Sequence, residues 1–428
     1  MIKWIENLYR NYPRLRQVVS LFAVNIFIIP LSIVSNIFIT RFLGPVAYGD
    51  FKFMLYVFSL AMVIFTFGFF QAGNRAIVLS SDSKKTKELY GAMIVVLGLL
   101  FAIMLIALVL YTVLDKNISG KGLRSVMFIT IPFSWIFLLM NYFEVLFQAD
   151  NKISLLAKSR LYPKVLFFAV TLFFYIVFAK YNGNRLLIIW LLFIFTHVAG
   201  FLYILYKVNP SFNNTKERLG EILHFNKTYG FNVYIGTLFN VAMNSLSGML
   251  ISYFGVDNSG VGYYSLAMTI SEPLNFIPNV IATTHYKEFA SKTNIGRRLT
   301  VLTIGVSFIS LLLCWVLVEP FINIFYGPEF KPVIYLTIVG STGIVFHGLG
   351  DFYNRFLGSH GRGKALRNSA ILVGVVLFIC NFTLIPKFGE QGAAYTKILA
   401  GVTYFLSMLW FYKKLTKSLI EKSNNKIK

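Results

Sequence analysis

The sequence is poor in cysteine. Only two are present among 428 residues, Cys314 and Cys380, and both lie within apolar segments. Two isolated cysteines of this kind form neither a disulfide framework nor the repeated spacing of a zinc motif. The sequence therefore predicts no disulfide scaffold and no metal centre.

Charged residues are also scarce, the acidic ones most of all. Asp and Glu number 17 against 40 Lys and Arg, and hydrophobic residues make up 57% of the chain. With a mean hydropathy of +0.67, such a chain cannot cover its surface with polar side chains in water, so we predict an integral membrane protein. The net charge of +23 would suggest nucleic-acid binding in a soluble protein. Here the cations lie mainly between apolar segments, where they set topology, so we predict no nucleic-acid partner.

A catalytic constellation is missing as well. The five histidines are scattered, no acid, base and nucleophile fall together in one outward loop, and no Gly-rich phosphate loop follows a strand. The pattern favours transport over chemistry and predicts neither enzyme activity nor a cofactor.

What the sequence does contain is a repeated pattern of long apolar segments separated by short polar turns. The clearest turn spans 41–51, with Gly and Pro between two apolar runs. At about 1.5 Å per residue, each run is long enough for a hydrocarbon core roughly 30 Å thick. Twelve membrane-spanning helices are predicted in this way, at about 18–40, 51–73, 89–114, 124–147, 157–179, 185–206, 229–254, 260–284, 299–318, 332–356, 366–385 and 392–412.

The connections between these segments alternate in charge. The side that includes the N-terminus receives 29 Lys and Arg, and the opposite side receives 9, while Arg355 and Lys397 remain inside spans. Because positively charged loops stay in the cytoplasm, both termini are predicted to be cytoplasmic. The basic N-terminal segment leads into a full-length apolar run, so we interpret it as the first span and not as a removed signal peptide.

The longest inward connection divides the chain into two halves of six spans. We predict an N-terminal six-helix lobe at 1–206, a cytoplasmic linker at 207–228 and a C-terminal lobe with a short basic tail at 229–428. Six is even, so both halves enter the membrane in the same orientation, as expected for repeats related by an axis along the membrane normal. A weak sequence similarity between 39–51 and 251–264 agrees with this interpretation.

Charged groups inside spans are costly, at about 2.5 to 3.5 kcal/mol each on insertion scales, so each needs a partner, water or a route to the interface. Glu272 is the clearest case, flanked by Pro273 and Pro278. It is either a functional acid or a kink-site acid satisfied by Asn275 or a neighbouring Asn.

Other polar residues within spans have two interpretations. Asp351 and Arg355 are four residues apart, which favours a structural pair along one helix face. Asn residues such as Asn141 and Asn244 either form interhelical hydrogen bonds or line a polar lumen that contacts sugar hydroxyls. Arg75 lies at the end of the second span, and this position favours an interfacial anchor over a substrate ligand.

Three motifs resemble one protein family across essentially the whole chain. They are RFLGPVAYG at 41–49, FYGPEF at 325–330 and LIPKFGEQGAA at 384–394. The chain resembles the Wzx-type polysaccharide or O-antigen flippases, which belong to the multidrug/oligosaccharidyl-lipid/polysaccharide exporter superfamily.

This resemblance implies an all-α membrane protein of two six-helix lobes around a central cavity in the bacterial cytoplasmic (inner) membrane. It implies a flippase that moves a polyprenyl-diphosphate-linked oligosaccharide, such as an O-antigen or capsule repeat unit, by alternating access. Arg41, Arg75 and Arg355 are the basic groups placed near the substrate path, with Glu272 and Asp351 as counter-charges or coupling groups. The expected partners are the lipid-linked oligosaccharide and membrane lipids, with a coupling proton or Na⁺ and glycan polymerase machinery as open candidates.

Two alternatives were weighed against this function. An ion-coupled multidrug or small-cation exporter of the same superfamily would need a cluster of lumenal carboxylates, and the sequence offers one central acid, Glu272. A membrane glycan polymerase or acyltransferase would carry a substantial polar extracytoplasmic loop or a buried His site, and the sequence shows neither. The flippase is therefore the preferred hypothesis.

Overall fold

The computed structural model of the protein describes residues 13–80, 82–177 and 183–427, and this part of the chain is helical without β-strands. The α-helices are α1 (Pro13–Phe65), α2 (Phe69–Val78), α3 (Ser83–Leu114), α4 (Lys116–Gly120), α5 (Arg124–Thr130), α6 (Trp135–Ala149), α7 (Ile153–Val177), α8 (Arg185–Val208), α9 (Thr215–Phe225), α10 (Phe231–Phe254), α11 (Ser259–Ser271), α12 (Pro273–Thr284), α13 (Tyr286–Phe289), α14 (Arg297–Phe325), α15 (Pro332–Ser359) and α16 (Gly363–Ile427). Short 3₁₀ turns at Ile131–Phe133 and Pro328–Phe330 and a π-turn at Asn226–Gly230 link some of them.

The two longest helices are each interrupted by one glycine. Gly44 in α1 has φ 74° and ψ 174°, and Gly389 in α16 has φ 56° and ψ −133°. Neither pair of angles is helical, and a positive φ is accessible to glycine because it has no Cβ. Each break lies inside a motif that the sequence analysis had interpreted as a turn between spans.

Within the described residues, seven helices are long and apolar enough to cross a membrane, or eight if the bent pair α5 to α6 is counted as one span. Two of the seven, Phe27–Phe65 and Gly363–Glu421, hold 39 and 59 residues. About 20 residues suffice for one crossing. Each of these two helices is therefore long enough for two crossings, and its glycine break is where it would divide into two spans. The multi-pass, all-α membrane architecture is confirmed, and the number of twelve spans stays a prediction.

Proline lies at or beside two helix interruptions. Just after Pro132, the segments Arg124–Phe133 and Trp135–Ala149 meet at 41°. In the predicted eighth span, α11 ends at Ser271 and α12 begins at Pro273, which leaves Glu272 at the junction. Proline lacks the N–H that a continuous helix would need at this point.

The chain forms two compact units. Unit 1 contains the described residues up to Leu43 and Val57–Ala242, and unit 2 contains Gly44–Tyr56 and Met243–Lys428. Aromatic rings fill the core of unit 1, where buried Trp190 meets Phe58 edge-on at 5.4 Å between ring centroids. Branched aliphatic residues form a core cluster in unit 2, including Leu274, Leu311 and Val345.

The connection predicted as a linker at 207–228 contains helix α9, which docks within unit 1. Arg218 donates from Nε to Glu88 Oε2 at 3.0 Å, and the two side chains are only 12% and 3% exposed. Asn214 donates to the other carboxylate oxygen of Glu88 at 3.1 Å. The amide N–H of Ser211 donates to the carbonyl of Lys87 at 2.9 Å. Glu88 is therefore a buried charge with several donors.

Candidate polar sites within the helical units

Glycines on α15 allow the helices of unit 2 to approach closely. A Cβ on Gly343 would lie 2.4 Å from the carbonyl oxygen of Lys397, and one on Gly401 would lie 2.1 Å from the carbonyl oxygen of Gly343. Further along α15, a Cβ on Gly350 would lie 2.4 Å from the ring of Tyr404. Small residues at a helix interface let the backbones come together in this way. Helices α15 and α16 therefore pack closely against each other along their shared interface.

This contact places Tyr404 next to Asp351. The hydroxyl of Tyr404 donates to Asp351 Oδ1 at 2.9 Å, and Asn354 donates to the same hydroxyl at 2.8 Å. Asp351 Oδ2 accepts from Asn279 of α12 at 3.3 Å. Arg355 donates to Asn279 Oδ1 at 3.4 Å. A polar network thus links α12, α15 and α16 inside unit 2.

The predicted pairing of Asp351 with Arg355 takes an indirect form. Helical spacing puts both residues on one face of α15, but the amide of Asn279 lies between them, donating to the acid and accepting from the base. The sequence identified the two charged residues. It did not identify Asn279 or Tyr404 as their partners, because these come from other helices.

Asn275 lies on α12 one turn before Asn279. Its Oδ1 is 2.7 Å from where a Cβ of Gly348 would stand, so this glycine makes room for the amide. Oδ1 is buried and has no hydrogen-bond partner among the described residues. The structure therefore brings Asn275 to the same α12 to α15 interface as the Asp351 network.

A second polar group in unit 2 surrounds Lys397. Its ammonium donates to Asn244 Oδ1 at 3.4 Å, and Glu272 attracts it electrostatically. Glu272 and Asn244, both predicted site residues, thus share a cationic neighbour. The sequence places Lys397 inside a span but indicates no partner for it. The burial of its backbone against Gly343 was not visible in the sequence.

The predicted site residues of unit 1 occupy three different settings. Arg75 lies in the last turn of α2 with its guanidinium 6.0 Å from the ring centroid of Tyr229. The side chain of Arg41 is exposed and precedes the Gly44 break by three residues. Asn141 lies in a pocket.

The pocket that contains Asn141 lies within unit 1 and has a volume of about 430 Å³. Helices α1, α6, α7 and α8 line it, and its polar groups include Glu144, Arg160, Lys164 and His197. Glu144 is ion-paired with Arg160, whose Nε donates to Oε2 at 2.9 Å.

Helices, spans and intramembrane polar networks together define an all-α, multi-pass membrane protein. In the described residues no group of three or more His, Cys, Asp or Glu side chains is arranged to hold a metal ion. The chain belongs to the polysaccharide biosynthesis protein family, whose model matches residues 15–287.

Two curated proteins illustrate the sequence similarity. The capsular polysaccharide biosynthesis protein CapF of Staphylococcus aureus is 20% identical over 375 residues, which cover 84% of this chain and 90% of CapF. An uncharacterised membrane protein of Methanocaldococcus jannaschii is 25% identical over 285 residues, or 63% of this chain. That alignment spans only 55% of the archaeal protein.

Solved structures show the same fold at low sequence identity. The lipid II flippase MurJ, in an inward closed conformation, aligns with a TM-score of 0.74 at 15% identity, over 94% of this chain and 90% of MurJ. An inward-facing multidrug resistance MATE family transporter of the MOP superfamily aligns with a TM-score of 0.69 at 12% identity, over 95% and 99%. The predicted superfamily fold is confirmed.

Proposed function

We propose that the protein is a flippase that translocates a polyprenyl-diphosphate-linked oligosaccharide, such as an O-antigen or capsule repeat unit, by alternating access. The observation that carries this proposal is the family match, which covers residues 15–287. The similarity to a capsular polysaccharide biosynthesis protein over 84% of the chain points to the same pathway class. The likeness to MurJ supplies a fold in which lipid-linked glycan transport is known.

The chemistry of the polar networks suits such a substrate. A diphosphate is bound by cations, and Lys397 and Arg355 are cations on spanning helices. Sugar hydroxyls form hydrogen bonds with side-chain amides, which both donate and accept. Asn244 and Asn275 supply amides at helix interfaces, and the buried oxygen of Asn275 needs a donor.

Specific roles follow from this assignment. We propose that Arg41, Arg75 and Arg355 contact the substrate phosphates or acidic sugars along the transport path, and that Lys397 assists Arg355. Glu272 and Asp351 act as counter-charges or coupling groups, since Glu272 attracts Lys397 electrostatically and Asp351 accepts from Asn279. A proton or Na⁺ would then drive the cycle.

The proposed location is the bacterial cytoplasmic (inner) membrane with both termini in the cytoplasm. The 29 to 9 distribution of Lys and Arg between the two sides supports this orientation. In this position the protein would take its substrate from the cytoplasmic leaflet and deliver it to glycan polymerase machinery on the other side. No enzymatic step is needed.

Reconstitution tests the proposal directly. The purified protein is placed in liposomes with candidate polyprenyl-diphosphate oligosaccharides, and exposure of the glycan in the outer leaflet is followed with a lectin or a membrane-impermeant glycosidase. Protein-dependent exposure of a lipid-linked glycan supports the flippase. In cells, loss of the gene should abolish a surface glycan, and retention of every surface glycan would refute the proposal.

The fold alone also accommodates an ion-coupled multidrug exporter, since a MATE transporter aligns over 95% of the chain. Neutralising the central acid separates the two functions. A drug antiporter loses drug resistance when Glu272 is changed to Gln, whereas in a flippase the same change acts on glycan export and leaves drug resistance unchanged. The family match favours the flippase.

A further inference from the structure

The pocket inside unit 1 has features that the proposed transport function does not require. Its walls include Ile28 of α1, Met140 and Phe143 of α6, and Phe201 of α8. Pro163 of α7 approaches Gly200 of α8 so closely that a Cβ on Gly200 would lie 3.0 Å from the proline ring. Helices α7 and α8 therefore meet tightly at this point, and the apolar walls form a pocket of about 430 Å³, a size typical of small-ligand sites.

Two cations give the pocket a polar side. Arg160 and Lys164 are four residues apart on α7, so they lie on one helix face one turn from each other. The acid of the pocket, Glu144, is already compensated, since it pairs with Arg160 and accepts from Gln148 Nε2 at 2.7 Å. Among the lining residues of the pocket, two are cations and one is an acid.

Asn141 adds a second polar requirement. It lines the same pocket, and its Oδ1 is buried without a hydrogen-bond partner among the described residues. A buried carbonyl oxygen of an amide is satisfied by an N–H or O–H donor. A ligand that fills the pocket would therefore carry an anionic group for α7 and a hydroxyl for Asn141.

We propose that this pocket binds the headgroup of an anionic phospholipid that carries a phosphodiester and a free hydroxyl, as phosphatidylglycerol does. Arg160 and Lys164 receive the phosphodiester, Asn141 accepts from the glycerol hydroxyl, and the apolar walls hold the start of an acyl chain. The connection before α7 belongs to the basic side that is predicted to be cytoplasmic, and basic pockets between spanning helices on that side suit anionic headgroups. The site is separate from the transported substrate and does not rest on the proposed function.

Native mass spectrometry of the purified full-length chain tests this binding. Phosphatidylglycerol and phosphatidylcholine with the same acyl chains are titrated onto the delipidated protein. Phosphatidylglycerol should bind at least about tenfold more tightly, and Lys164→Gln should remove about tenfold of that preference. Lys207→Gln is the matched control, because it removes the same charge at the end of α8 outside the pocket. Equal affinity of the two lipids, or equal effects of the two variants, would overturn the proposal.

A variant that is expected to strengthen lipid binding excludes loss of folding as the explanation for weaker binding. Glu144→Gln removes the acid that occupies Arg160, so phosphatidylglycerol should bind several-fold more tightly. Asn141→Asp adds a negative charge with almost no change in the shape of the side chain, and it should weaken the binding of phosphatidylglycerol. Unchanged affinity in both variants contradicts the assignment. Competition with a polyprenyl diphosphate distinguishes the source of the phosphate, and displacement of phosphatidylglycerol by that compound would reassign the pocket to the substrate.

Discussion

The hydroxyl of Tyr404 donates to Asp351 Oδ1 at 2.9 Å, joining α16 to α15 inside the C-terminal half of the chain. Tyr404 in turn accepts from Asn354, and Asp351 accepts from Asn279. Because each of these side chains has a partner within the network, the carboxylate of Asp351 is held at a defined place within a spanning helix.

Removing the Tyr404 hydroxyl should destabilise this network. Tyr404→Phe takes one donor from the carboxylate of Asp351 and is expected to lower the free energy of unfolding by about 1 to 2 kcal/mol. Thermal unfolding in detergent measures the loss. Tyr395→Phe is the control on the same helix, since its hydroxyl bonds to the exposed Tyr335 at 2.7 Å. Equal melting of both variants would contradict the role given to Tyr404.

Close packing between α15 and α16 makes a second prediction. A Cβ on Gly401 would lie 2.1 Å from the carbonyl oxygen of Gly343, whereas a Cβ on Gly374 of the same helix meets nothing within 4 Å. Gly401→Ala should therefore destabilise the protein by about 1 to 3 kcal/mol through overpacking. Gly374→Ala should be neutral or slightly stabilising, since alanine favours helix. Melting temperatures of the two variants provide the comparison, and matching values would exclude the packing argument.

The α9 contact gives a third prediction. Arg218→Met leaves the buried carboxylate of Glu88 without its main cation and should cost about 3 kcal/mol or more. The exposed pair Lys292 and Glu288, about half exposed on both sides, is the control, and Lys292→Met should cost less than about 1 kcal/mol. Limited proteolysis within 207–228 and thermal unfolding report the change. A small effect at Arg218 would mean that α9 is held by other contacts.

Transport activity tests the proposed cations. Arg355→Ala, Arg75→Ala and Lys397→Ala should each lower flipping by about tenfold or more, since each removes a charge proposed to stabilise the substrate phosphates. Lys216→Ala and Lys287→Ala in the predicted cytoplasmic connections should leave the rate near that of the unchanged protein. The leaflet-exposure assay in liposomes measures all five. Similar rates in both sets would rule out the proposed path.

Sequence patterns were sufficient for the class of fold. Apolar length, turn residues and the charge of the connections predicted a multi-pass helical membrane protein, and the motifs at 41–49 and 384–394 each contain the glycine at which a long helix breaks. Pro273 and Pro278 indicated a helix interruption near Glu272. These features depend on local backbone chemistry, which a sequence displays directly.

The partners within the polar networks were harder to predict from the sequence. Asp351 and Arg355 were selected because a charge inside a span is conspicuous, yet the residue between them, Asn279, is one of several asparagines with no local signal. Lys397 also lies inside a span, but its position against Gly343 depends on a helix interface that the sequence does not display.

The sequence by itself determined that the chain crosses a membrane as helices, where those helices turn and which residues carry intramembrane charge. These properties follow from hydropathy, helix geometry and the cost of burying a charge, all of which act along the chain. The tertiary structure decided which side chains meet: Tyr404 with Asp351, Lys397 with Asn244, and Arg160 with Glu144. Partner choice depends on which helices approach closely, and that approach is set by small residues on facing helices far apart in sequence.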